Sequence, residues 1–272
     1  MFKQYKQNII DFKDVSFAYD NAHNVLNHVS FNIDKNDFVC IVGNNGSGKS
    51  TLIKLLAGLL MPTHGKIFFK NSLIDHHNYK LLSSNIGVVL DDPYQIVGQT
   101  PKEDISFWLQ NRQVSSQKIK NIILSITKIM HLEKIIDKSF SKLSSGERQL
   151  AILASILVGD YEVLMFDEAN MYLDNKSKND LDDIVNLLWK KYKKTIIWVT
   201  HDLNEIKNAN KILLLDHHHI QCFNNKEIFL NKFCFSKKKF DPPFLIKLSS
   251  KIKYIKPTYN FSDLIKEISC VK

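Results

Sequence analysis

Gly43-Asn44-Asn45-Gly46-Ser47-Gly48-Lys49-Ser50-Thr51 follows the apolar run from Asp37 to Val42 and leads into a stretch with helical spacing of apolar residues. A GxxxxGK[ST] segment between a buried strand and a helix commits the chain to one kind of turn, in which successive backbone N–H groups converge on phosphate oxygens. The helix end adds a partial positive charge of roughly half an electron. In this pattern Lys49 reaches the β- and γ-phosphates of a nucleotide as a point charge, and the Ser50 hydroxyl ligates Mg2+; the motif alone leaves kinases, GTPases, helicases and transport ATPases open. Gly43, Asn44, Asn45, Gly46, Ser47, Gly48 and Thr51 complete the cradle. The alternative is a glycine-rich turn that holds nothing, and the strand before it and helix after it weigh against that reading.

The surrounding pattern fits a layered α/β fold. Ile9 to Tyr19 and Val25 to Ile33 alternate in polarity around Asp20-Asn21-Ala22-His23-Asn24, which predicts an antiparallel hairpin. Strands are expected at 37–42, 66–69, 86–90, 163–166 and 195–199. Helices are expected at 49–58, over a long stretch 102–157 broken near 138–143, and at 176–191. A short helix and a last hairpin, 211–223, follow. Alternating strands and helices predict a mostly parallel sheet covered on both faces. Asp216-His217-His218-His219 falls at the tip of that hairpin and is read as a solvated turn, because structural metal sites need several fixed ligands.

Composition removes other classes. None of the apolar runs in the 272 residues approaches the ~20 needed to span a bilayer, so the chain is not expected to cross one by itself. Met1 to Ile10 lacks the apolar core of a secretory signal. Cys40, Cys222, Cys234 and Cys270 form no CxxC pair and are expected as reduced thiols. The net charge of +9 would suit a nucleic-acid binder, but residues 231–272 alone carry ten lysines against three acids. That leaves only +2 for the first 230 residues, so no nucleic-acid partner is expected. Composition turns basic near Asn231, which marks the expected boundary between residues 1–230 and an extension, 231–272. Asp241-Pro242-Pro243 is expected to start a helix there.

A second constellation narrows the chemistry. Val163-Leu164-Met165-Phe166-Asp167-Glu168 is an apolar strand ending in two acids, preceded by Leu143-Ser144-Ser145-Gly146-Glu147-Arg148-Gln149. Asp167 is assigned to Mg2+ and Glu168 to the general base that polarises the attacking water. Paired acids at a strand end are often only a helix cap; the glycine-rich loop upstream argues for the catalytic reading.

From Ile9 to Phe223 the sequence resembles the ABC-transporter ATPase family. Leu143-Ser144-Ser145-Gly146-Glu147 is similar to its LSGGQ or LSGGE signature. The resemblance implies that Ser144, Ser145 and Gly146 bind the γ-phosphate held by a second ATPase subunit, so that the active site exists only in a dimer. It also implies that Tyr19 stacks on adenine, that Asp174 of Leu173-Asp174 crosses the dimer interface, and that His201 of Thr200-His201-Asp202 contacts the γ-phosphate. The implied fold is a P-loop NTPase (RecA-like), with a mostly parallel sheet, an antiparallel β subdomain, a helical subdomain at about 98–160 and a C-terminal helical extension.

Within the family the sequence is most similar to the ATPases of energy-coupling-factor (ECF) importers. Gln95-Ile96-Val97-Gly98-Gln99-Thr100 with Glu103-Asp104-Ile105-Ser106-Phe107 is similar to QxVGxTVEEDVAFG, and Phe240-Asp241-Pro242-Pro243-Phe244 with Leu248 to LDxPFxxxL. The resemblance implies a peripheral ATPase on the cytoplasmic face of the membrane, working with a transmembrane T component and a substrate-binding S component, and a C-terminal dimerisation element. Uptake of a vitamin, cofactor precursor or metal ion is the implied task. An ATPase of another ABC importer and one acting on DNA are the alternatives; only 118 residues separate Lys49 from Asp167, which leaves no room for the long coiled coils of the latter.

Five positions depart from the family. Asp91 stands where a glutamine usually reaches Mg2+ and the lytic water; an ionised carboxylate can ligate the ion but donates no hydrogen bond, so altered or slower coupling is expected. Ser145 replaces a glycine, Ala169-Asn170 replace proline and serine or threonine, and Leu150 stands where a basic residue is common. Intact phosphate-binding residues beside an altered signature suggest two unequal sites, whether the second subunit is identical or a paralogue.

Overall fold

The computed structural model describes residues 7–20, 24–90, 96–236, 240–252, 259 and 261–270. The chain runs β1 (Asn8–Ala18), β2 (Asn24–Asp34), β3 (Phe38–Val42), α1 (Lys49–Leu56), β4 (His64–Phe69), β5 (Ser72–Leu73), α2 (Lys80–Asn85), β6 (Ile86–Val89), α3 (Pro101–Asn111) and α4 (Ser116–Ile129). It continues through α5 (Ser145–Leu157), β7 (Val163–Asp167), α6 (Asn175–Lys190), β8 (Thr195–Thr200), β9 (Lys211–Asp216), β10 (His219–Phe223), α7 (Lys226–Leu230), α8 (Phe244–Ser249) and α9 (Phe261–Cys270).

The central sheet has the order β10-β9-β3-β8-β7-β6 and is parallel except for the β9–β10 hairpin. Every residue of β3, β7 and β8 is buried, as a strand covered on both faces requires. Their side chains alternate between two cores. Phe38, Cys40, Val42, Phe166 and Trp198 join the core under α3 to α6, whereas Val39, Ile41, Met165, Ile197 and Val199 join the core shared with α1 and the antiparallel sheet.

That second sheet, β2-β1-β4-β5, buries Ile10, Phe12, Val15 and Phe17 of β1. Phe12 stacks on Phe31 with ring centroids 4.6 Å apart. The fold class is therefore as the sequence predicts. Because β3, β8 and β7 are neighbours and parallel, the loops at their carboxyl ends emerge side by side, where open α/β sheets bind ligands.

The expected helical stretch 102–157, with its break near 138–143, is three helices: the break between α4 and α5 spans that region, and a further one separates α3 from α4. Gln113 at φ 59° and the extended Ser115 separate α3 from α4, and His131 at φ 53° ends α4. Apolar periodicity does not register such single left-handed residues. Helices α2 and α7 and the strand β5 are too short to show a period; α7 is held by its cap, Asn225 Oδ1 accepting from the Glu227 and Ile228 N–H groups at 2.7 and 3.4 Å. Helix α8 begins after Pro242-Pro243 as expected, and its buried Ile246 enters the core under α3 to α6. The His217-His218 tip joins β9 to β10 with φ of 45° and 68° and is exposed. Among the described residues no helix is long and apolar enough to cross a membrane.

Candidate functional site

The loop after β3 is shaped by three glycines. A Cβ on Gly43 would lie 2.6 Å from the Leu215 carbonyl oxygen, so β9 packs against bare backbone there. Gly46 and Gly48 have φ of 76° and 101°, a region that L-residues with a Cβ seldom enter. Gly48 precedes α1 without any side-chain cap, which leaves the first N–H groups of that helix directed at the loop. Ser47 Oγ is buried without a hydrogen-bond partner beside Gly43. A buried hydroxyl donor in an anion-binding loop suits a phosphate oxygen. Asn44 and Asn45 lie exposed on the same loop.

Lys49 is buried, and its Nζ donates to the Gly43 and Asn44 carbonyls at 3.1 Å each. It lies 3.8 Å from Glu168 Oε1, and His201 Nδ1 lies 3.3 Å from the same oxygen. The carboxylate thus stands between the base of the phosphate loop and the end of β8. Glu168 adopts φ 50° and anchors its N–H on the Val199 carbonyl at 3.1 Å; a non-glycine residue in that conformation at a strand end is a common mark of a working site. Asp167, the last residue of β7, is buried beside it.

Lys49, Ser50, Thr51, Asp167 and Glu168 line one cavity of about 440 Å³ with Gly46 and Gly48. Ser50 and Asp167 present hard oxygen donors to it, the set that Mg2+ prefers, so the residues fit that ion. Tyr19, which follows β1, reaches the same place: its hydroxyl is 3.2 Å from Thr51 Oγ1, and its ring is 62% exposed. A flat, open aromatic face beside a phosphate loop suits a base.

Asn45 also lines that cavity, whereas Ser144, Ser145, Gly146 and Asp174 do not. Ser144 caps α5 in a reciprocal capping box, accepting from the Glu147 N–H at 3.2 Å while its own N–H donates to Glu147 Oε2 at 2.9 Å. Those bonds from Ser144 hold the Glu147 carboxyl below its ordinary range. Ser145 is exposed, and a Cβ on Gly146 would lie 2.9 Å from the Tyr172 carbonyl oxygen. The signature turn therefore rests on the loop leading to Asp174 and contributes no residue to the lining of the phosphate cavity. Asp174 caps α6, accepting from the Ser177 N–H at 2.7 Å, which lowers its carboxyl. Asp91 lies outside the described residues.

Two of the departures have structural partners. Ala169 is fully buried, and Asn170 Nδ2 donates to Glu205 Oε1 at 3.1 Å. Glu205 Oε2 also accepts from Trp198 Nε1 at 2.7 Å. Glu205 was not legible in the sequence; it joins β8 to the segment after Glu168 and lines a second cavity of about 200 Å³ with Glu168 and His201. An acid three residues beyond Asp202 is too weak a signal to single out. Leu150 packs against the core under α3 to α6.

The segment before α3 is also built for display. Thr100 caps that helix by accepting from the Glu103 N–H at 3.2 Å, and Pro101 occupies its first turn. The buried Asp104 Oδ1 accepts from the N–H groups of Val97 and Gly98 at 2.8 and 3.1 Å. This clamp fixes a tight turn that leaves the Val97 side chain 57% exposed, with Phe107 also exposed nearby in sequence.

Comparison with known proteins agrees with this geometry. The ABC transporter family profile matches residues 26–171. The chain is 38% identical over 265 residues to the energy-coupling factor transporter ATP-binding protein EcfA1 of Ureaplasma parvum, covering 95% of this chain and 90% of that protein. A solved structure of cbiO1 from Clostridium perfringens, described as part of the ABC transporter complex cbiONQ, is 27% identical with a TM-score of 0.73, over 84% of this chain and 92% of that one. A dimeric ATP-binding cassette in a post-hydrolysis state, bound to ADP and Pi, shares the fold at 24% identity and a TM-score of 0.73, over 79% of this chain and 97% of that one.

Proposed function

The chain belongs to the ABC transporter family of ATPases, and from that premise we propose that it is the ATP-hydrolysing subunit of an ECF-type importer, driving uptake of a vitamin, cofactor precursor or metal ion through separate membrane proteins. The observation that carries the reading is that Lys49, at the start of α1 after β3, and His201, after β8, both approach Oε1 of Glu168, after the neighbouring β7, beside the phosphate loop.

ATP lies with its base on Tyr19 and its phosphates over residues 43–51. Lys49 exchanges the Gly43 and Asn44 carbonyls for the β- and γ-phosphates, which leaves the Glu168 carboxylate free to face water. Glu168 takes the proton of the attacking water, and His201, within 3.3 Å, orients the carboxylate and meets the γ-phosphate. Ser50 and Asp167 would hold Mg2+, which would neutralise charge building on the phosphate oxygens. Asp91 is proposed to reach the same ion.

A second subunit supplies the missing half. Ser144, Ser145 and Gly146 stand at the start of α5, a helix end fit to bind an anion, yet do not line this chain's own cavity. A dimer in which each such helix end covers the other chain's γ-phosphate satisfies both facts, and Asp174 then lies near the shared boundary. The segment 231–272, whose Ile246 packs into the core under α3 to α6, is proposed as a helical extension that adds to this pairing.

The exposed Val97 on its clamped turn is proposed to meet the membrane partner. Val97→Asp is expected to lower recovery of a multi-spanning protein with the chain severalfold while ATP binding is retained, measured by affinity purification from detergent-solubilised membranes. The same purification of the unaltered chain tests the reading itself: a second ATPase subunit and multi-spanning proteins should accompany it. Recovery alone, or salt-sensitive retention on DNA, would reject it.

A further inference from the structure

On the antiparallel sheet, outside the residues that line the nucleotide cavity, three potential ligands from three strands converge: Asp14 of β1, His28 of β2 and His64 of β4. His28 Nδ1 is 2.8 Å from Asp14 Oδ1, and His64 Nε2 is 3.2 Å from Asp14 Oδ2. The three ligand atoms all lie within 4.8 Å of one another. We propose that this trio is a binding site for a divalent transition-metal ion of the Zn2+, Co2+ or Ni2+ class, held on the outer face of the β subdomain and independent of the Mg-ATP chemistry.

The backbone is arranged to make the meeting possible. Strand β1 shifts register against β2 between Phe12 and Val15, and against β4 between Lys13 and Ser16, so Asp14 sits at a bulge in both ladders. Asp14 and His28 have φ of 55° and 48°, a departure from strand geometry that re-aims both side chains. Each is pinned by a serine of the other strand: the Asp14 N–H donates to Ser30 Oγ and the His28 N–H to Ser16 Oγ, both at 2.9 Å. On the other side Gly65, at φ 82°, lets β4 come so near that any Cβ there would collide with the Asp14 carbonyl. That close approach brings the adjoining His64 to the second carboxylate oxygen.

The donor set selects the ion. Two imidazole nitrogens and one carboxylate oxygen suit Zn2+, Co2+ and Ni2+, whereas Mg2+ and Ca2+ prefer all-oxygen sites. The side chains are 58–62% exposed, so an ion enters freely and keeps water in its remaining positions. The carboxylate balances part of its charge. Among the described residues this is the one trio of such groups close enough to share an ion. The consecutive histidines at the β9–β10 tip differ, because His218 Nδ1 faces the Val25 carbonyl at 3.3 Å.

The test titrates Co2+ into the full-length, metal-stripped protein, followed by its d–d absorption and by equilibrium dialysis. One equivalent is expected, displaced by Zn2+. Loss of an outer partner of a metal ligand alone costs about 10–100-fold in affinity, so His28→Ala and His64→Ala should each weaken binding at least about tenfold. Asp14→Asn, which keeps the side-chain shape, should do the same should an alanine variant fold poorly. His217→Ala and Glu168→Gln should leave the bound equivalent in place. No retained cobalt, retention unaffected by the Asp14, His28 and His64 substitutions, or loss on changing His217 or Glu168 would overturn the proposal.

Discussion

Glu168→Gln in the assembled complex lowers ATP turnover by about 10²–10⁴-fold, the usual range for removing a positioned general base, while nucleotide affinity stays within a few-fold of the parent's. The glutamine keeps the shape of the side chain and a partner for His201 Nδ1, now 3.3 Å from Oε1, but has no basic oxygen to accept a proton. It also removes the anion 3.8 Å from Lys49, which leaves that ammonium at least as available to phosphate. Steady-state phosphate release against equilibrium nucleotide binding separates the two effects. Turnover close to the parent's would mean that Glu168 is not the base; equal loss of binding and turnover would mean that it holds substrate.

Phe166→Ala is expected to destabilise the fold by about 3–5 kcal/mol, the largest stability effect anticipated for a single site. Phe166 is fully buried in β7, with its ring centroid 4.9 Å from that of Trp198 in β8. Removing the ring leaves a cavity directly beneath Asp167 and Glu168 and loosens the contact that aligns the two strands carrying Glu168 and His201. For a chain of this size that corresponds to a melting temperature lower by on the order of 10 °C, read by differential scanning calorimetry. A change of only a degree or two would show that the sheet under the site repacks easily, against the tight interior described here.

The features that proved legible in the sequence are those fixed by covalent spacing. The loop 43–51 follows a strand and opens a helix, and Asp167-Glu168 and Thr200-His201 end strands that the apolar runs already mark. Parallel pairing of β3, β8 and β7 then brings these ends together, although which strands are neighbours is a property of the whole sheet. Two other side-chain clusters had no such mark. The link from Asn170 and Trp198 to Glu205 joins residues 35 and 7 positions apart along the chain through side-chain amide and indole donors. The meeting of Asp14, His28 and His64 depends on a bulge in β1 and on Gly65, and a single inserted residue in a ladder leaves no periodic trace. The break between α3 and α4 escaped for a similar reason, since polar Gln113 and Ser115 resemble helix surface residues until their dihedral angles are known. The packing of Gly146 against the Tyr172 carbonyl had no local mark either, because it crosses the space between α5 and the segment before α6.

The central claim is that two half-sites, each with its own phosphate loop, close on ATP through the signature helices. The most direct measurement is the mass in solution of the Glu168→Gln chain, together with the second ATPase subunit recovered with it, by light scattering with and without Mg-ATP. The account predicts that nucleotide raises the mass by one subunit, and that adding Gly146→Val, whose side chain meets the Tyr172 carbonyl and displaces the signature turn, abolishes the increase. An unchanged mass at saturating Mg-ATP, with nucleotide bound, would contradict it.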